Sequence, residues 1–101
     1  MNSISIHQGD VILEPIGKLP SDAKFVRENI VQSGELTGHA HVVNKCRVFS
    51  SVDLGMNCVD VIASLPMTHE DHPHTNPVPV GLYRVRIQEE YFPDGSRQVQ
   101  D

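Results

Sequence analysis

A chain of 101 residues has room for one domain with a real core and no room for a second. Hydrophobic residues make up 39% with no tryptophan, so the core must rest on Val, Ile and Leu with three Phe and two Tyr, a β-branched bias that favours strands. Thirteen acidic against eight basic residues give a formal charge of −5, which argues against a nucleic-acid grip held mainly by Lys and Arg.

Six histidines make that charge sensitive to pH, since protonating all of them would carry it from −5 to +1. Cys46 and Cys58 lie outside any CxxC pattern, and Met1–Gly9 lacks the charged and apolar regions of a secretory leader. A reducing, cytoplasmic setting is the expectation. No apolar run approaches the roughly 18 residues of a membrane span, so a soluble protein with no membrane partner is expected.

Taken in chain order, Ser3–His7 alternates weakly, and Gln8-Gly9-Asp10 makes a turn before the apolar run Val11–Ile16, where Pro15 suits a strand end. Gly17–Asp22 reads as a loop, and Ala23–Arg27 is the one place where a brief helical turn is expected. Asn29–Gln32 favours β structure and leads into Gly34-Glu35-Leu36-Thr37-Gly38-His39-Ala40-His41, whose glycines permit a bend. Alternation then puts His39, His41 and Val43 on one face.

Cys46–Val52 is a further strand, Asp53–Asn57 a hairpin loop, and Cys58–Leu65 the returning strand. Pro66 closes it, and Met67–Pro79 is proline-interrupted and rich in histidine, with regular structure expected only at its edges. Gly81 opens the clearest amphipathic strand, with Tyr83, Val85, Ile87 and Tyr91 on one face and Leu82, Arg84, Arg86 and Gln88 on the other. Pro93-Asp94-Gly95 is a turn before a short terminal strand over Arg97–Asp101. Six or seven short strands and no sustained helix predict a single all-β domain over residues 1–101, a small barrel or a sandwich.

Five of the six histidines fall in two clusters, His39 with His41, and His69, His72 and His74. A His-x-His pair on a strand presents two imidazoles to one side, half of what a metal ion needs. Thr68-His69-Glu70-Asp71-His72 adds two histidines and two carboxylates within five residues. The expected metal ligands are therefore His39, His41, His69 and His72, with Glu70 and His72 as candidate catalytic groups. Such a donor set suits Zn, Fe, Mn or Ni and does not choose among them.

His7 reads as structural or exposed, His74 as polar filler in a solvated loop, and the cysteines as buried core residues. The same histidines acting without metal, with Arg84 or Arg86 stabilising an anion, would fit a phosphodiester substrate such as RNA or a nucleotide. A third reading is a non-enzymatic assembly module pairing strand edges in a homo-oligomer.

Gly34, His39 and His41, followed by His72 with Asn76, resemble the first and second motifs of the cupin superfamily. That resemblance implies a cupin-like barrel, but Lys45 and Cys46 stand where its glutamate ligand is expected, leaving Glu35, Glu70 or Asp71 to substitute. Gln8-Gly9-Asp10-Val11, Gly34–His41, Thr68–His72 and Gly81–Val85 with Glu90-Tyr91 are together similar to a group of small bacterial and phage-encoded proteins, which implies a shared site and no particular activity. The reading is a β domain binding a divalent metal, with hydrolytic or lyase chemistry on a small-molecule substrate as the most economical use of it.

Overall fold

The computed structural model describes residues 5–33, 39–92 and 95–98, with side chains described as far as Gln88. Nine strands are described: β1 (Ile6–Gln8), β2 (Val11–Pro15), β3 (Lys24–Ser33), β4 (Ala40–Ser51), β5 (Met56–Val61), β6 (Met67–Thr68), β7 (Gly81–Ile87), β8 (Glu89–Phe92) and β9 (Gly95–Gln98). No helix is present among the described residues, and so none is long and apolar enough to cross a membrane.

All pairings are antiparallel, in the order β1-β2-β7-β5-β4-β3, with β6 added alongside β4 and β8–β9 forming a separate hairpin. The all-β expectation holds, and seven strands share the main sheet. Among the described residues the sheet is not closed into a barrel, and no ladder joins β1 to β6. What crosses that gap is the Gln8 side chain, whose Nε2 donates to the carbonyls of Met67 and Pro73 at 2.9 Å each.

Two expected elements are corrected. Ala23–Arg27 forms no helical turn, because Lys24–Ser33 is one long strand laddered on β4, and its Phe25 ring packs edge-on against Phe49. Tertiary pairing overrides weak local propensity here. The strand expected over Cys58–Leu65 stops at Val61, where the backbone leaves β7 and Ile62 N–H donates to the Lys45 carbonyl. Gly34–Gly38 and the Pro93-Asp94 turn lie outside the described residues.

The core gathers alternate residues of several strands: Val11 and Leu13, Val31, Val43, Cys46 and Val48, Val59 and Val61, Met67, Tyr83 and Val85. Burial of each such aliphatic side chain contributes about 1.5–3 kcal/mol before the entropy of ordering is deducted. Strict alternation along β4 would put Cys46 outward if His41 and Val43 point inward. A bulge corrects the phase. Asn29 and Lys45 both adopt left-handed φ (68° and 66°), the β3–β4 register slips between Glu28 and Ile30, and Asn29 Oδ1 accepts from the Lys45 and Cys46 amides. His41 and Val43 on one side of the bulge and Cys46 and Val48 on the other are thus all buried.

On the outer face of β2, Glu14 accepts from Arg84 Nε at 2.7 Å and Arg86 Nη1 at 2.6 Å. The Arg84 hydrogen bond is the main cause holding the Glu14 carboxyl below its ordinary 4.5, with Arg86 adding to it and burial opposing. A lowered carboxyl pKa means that the unfolded chain binds the proton first, so this stabilisation is complete above 4.5 and is lost as pH falls through the folded value. Glu14→Gln should therefore destabilise the fold at pH 7 by up to about 1 kcal/mol, limited by solvent at the guanidinium ends. In urea titrations the deficit should shrink as the pH is lowered below 4.5; an equal deficit at all pH values would refute this.

Candidate metal centre

Register builds the site. β6 pairs with the start of β4 as Val42↔Thr68 and Val43↔Met67, and continuing that antiparallel register brings His69 opposite His41. A tight turn follows, in which His69 bridges to His72 across Glu70-Asp71. The segment keeps folding back on itself through Thr75 N–H to the Met67 carbonyl, a Pro66–Pro77 bridge and Val78 N–H to the Leu65 carbonyl. His41, His69 and His72 therefore lie in a row across three adjacent extended segments.

Ring centres are 4.3 Å apart for His41–His69, 4.6 Å for His69–His72, 5.9 Å for His41–His72 and 5.8 Å for His39–His69. An imidazole bound through nitrogen at about 2.1 Å holds its ring centre roughly 3.2 Å from the ion, so two rings sharing one ion stand no more than about 6.4 Å apart. All four spacings meet that limit. The two sequence clusters do come together.

His41 is fully buried and His69 is 5% exposed, and the Nε2 atoms of His41, His69 and His72 and Oδ1 of Asp10 are all shut off from solvent. His41 Nε2 lies 3.6 Å from Asp10 Oδ1. On the solvent side, His39 Nδ1 meets Asp71 Oδ2 at 2.5 Å and its Nε2 stands 3.6 Å from Glu70 Oε1. His39, His69 and Asp71 each bring a ligand atom within 4.8 Å of the others, so this group could hold a metal ion. Asp71 N–H donates to His69 Nδ1 at 2.9 Å, which puts the proton of a neutral His69 on Nε2.

Gln8, Gly9 and Asp10 were absent from the expected site residues. They come from the β1–β2 turn, which the sequence marks as turn chemistry and as one motif of the resemblance, with no site role of its own. Gly9 has φ +58°, and a Cβ built there would stand 2.4 Å from His72 Nε2. The glycine lets the turn's backbone lie directly on the imidazole.

A cleft of about 550 Å³ opens beside the row, bordered by His7, Gly9, His72, His74 and Asn76. Of these, His7, His74 and Asn76 are exposed, which fits the expectation for both histidines. The cysteines are core residues, and burial pushes both thiols up from their ordinary 9.0, away from the thiolate a metal would require. Arg84 and Arg86 bind Glu14 on the outer face.

Gly9→Ala and Gly55→Ala separate backbone strain from contact. Gly55 has φ +67° with nothing within 4 Å of its would-be Cβ. Its replacement should cost about 1 kcal/mol, the ordinary left-handed penalty. Gly9→Ala adds the collision with His72 and should lower the thermal midpoint clearly further; equal losses would refute the close approach.

A model of the family described as a domain of unknown function, DUF8820, matches residues 7–88, a span that contains every residue of the cluster. No curated protein and no solved structure matches the chain.

Proposed function

The chain belongs to the DUF8820 family, and from the geometry of its histidine row we propose that the domain binds a divalent transition-metal ion among His39, His41, His69 and His72. One observation carries the reading: the rings of His41, His69 and His72 stand with centres 4.3, 4.6 and 5.9 Å apart, and beside them His39, His69 and Asp71 bring ligand atoms within 4.8 Å of one another. A divalent cation accepts the lone pair that each neutral imidazole carries on one ring nitrogen, so several imidazoles gathered beside carboxylates suit it as ligands. The donor chemistry, imidazole with a carboxylate nearby, suits Zn, Fe, Mn or Ni.

Hydrolysis or elimination on a small molecule is the chemistry such a centre supports best. The cleft beside His72 gives access, and Glu70, 72% exposed at its side chain and 3.6 Å from His39, stands at the rim where a proton can be exchanged with solvent. A metal-free phosphodiesterase would need a cation near the histidines. The two arginines considered for that role both serve Glu14, which favours the metal reading.

Protein purified without a histidine tag should carry close to one equivalent of a divalent transition metal by elemental analysis. Free ion at about 100 times its Kd should then stabilise the stripped protein by about 2.7 kcal/mol, read as a rise in thermal midpoint of several degrees. No bound metal, together with an unchanged midpoint across Zn, Ni, Mn and Fe(II), would overturn the proposal.

A further inference from the structure

The Gln8-Gly9-Asp10 turn is unexplained by the histidine row alone, yet all three of its residues touch it. We infer that Asp10 is the carboxylate ligand of the metal centre and that Gln8 is the positioning residue that presents His41 to the ion. The inference rests on the metal-binding reading above and specifies its coordination.

Hydrogen-bond donors and acceptors fix the orientation of the Gln8 amide. Its side-chain nitrogen donates to two main-chain carbonyls, of Met67 and Pro73, each at 2.9 Å. An amide oxygen could not take that place, because carbonyls only accept. Gln8 Oε1 is thereby fixed toward His41 Nδ1, at 2.9 Å. An amide oxygen also only accepts, so Nδ1 must carry a proton, and in the neutral ring Nε2 is left with its lone pair. Metal-binding histidines are characteristically held this way, by an oxygen that accepts from the nitrogen opposite the ion. His41 is locked in its ligating tautomer, whereas Asp71 N–H holds His69 in the opposite one.

Asp10 lies on the ligating side. Its Oδ1 is 3.6 Å from His41 Nε2. Ligand atoms around a tetrahedral ion with bonds near 2.05 Å are about 3.4 Å apart, so this pair spans one edge of such a polyhedron. His72 Nε2 rests against the backbone of Gly9, the residue next to Asp10. The Asp10 side chain is buried, 8% exposed and beside His41, and a buried carboxylate is best compensated by a cation. The inner ligand pair is thus Asp10 with His41, and His69 joins through Nε2 only by releasing the Asp71 amide. Asp10 supplies the carboxylate that Lys45 and Cys46 cannot.

Zinc affinity, measured by competition with a chromophoric chelator, tests both roles in Asp10→Asn and Gln8→Leu. Gln8→Leu should weaken zinc binding about 10–100-fold, and Asp10→Asn by more, with an altered visible spectrum of the Co(II)-loaded protein. Long-range 1H–15N NMR of the wild-type metal-free protein should show His41 protonated at Nδ1. Affinity of Asp10→Asn within about threefold of wild type would overturn the ligand assignment while leaving metal binding intact. A His41 protonated at Nε2 would overturn the role of Gln8, whether or not the Gln8 variant folds. Wild-type protein that binds no metal would overturn the metal-binding reading itself.

Discussion

The two hydrogen bonds from the Gln8 amide nitrogen to the Met67 and Pro73 carbonyls hold this structure's functional end together. They tie the last residue of β1 to the segment that carries His69 and His72, across a gap that no β ladder closes. The same side chain, through its oxygen, reaches fully buried His41 on β4. One residue thus joins three segments far apart in sequence. Because an amide has chemically distinct ends, it also fixes which nitrogen of His41 is protonated.

Among the sheet's departures from regular geometry, those at Asn29 with Lys45 and at Gly9 each have a physical reason. The bulge at Asn29 and Lys45 places two non-glycine residues in the left-handed region, at a cost of about 1–3 kcal/mol each, offset in part by the Asn29 side chain accepting from two β4 amides. It lets His41 at one end of β4 and Val48 toward the other face the same interior. Gly9 is the second departure, where a backbone without Cβ allows direct contact with His72.

Much of the fold was legible in the residues. Val11–Leu13, the alternation of Tyr83 and Val85, and the hairpin signal at Asp53–Asn57 all correspond to observed strands or their junctions. Ala23–Arg27 was not legible as strand, because Phe25 and Val26 remain exposed and no burial pattern marks them. The membership of Met67–Thr68 in the sheet was hidden too, since two residues directly after a proline have no periodicity of their own. That short pairing nonetheless sets the histidine row, by putting Thr68 beside Val42.

The sequence by itself determined the ingredients. Spacing paired His39 with His41, composition required a β core, and four of the five clustered histidines, His39, His41, His69 and His72, are the ones that meet. Only the tertiary structure decided that the clusters share one place, because that depends on a β4–β6 register between residues some 25 positions apart. It also decided that the nearest buried carboxylate is Asp10, not the neighbouring Glu70 or Asp71. Glu70 and Asp71 face solvent, 72% and 47% exposed at their side chains, whereas the β1–β2 turn carries Asp10 inward. Proximity in sequence ranks candidates by chain distance, while a closing turn ranks them by burial and direction.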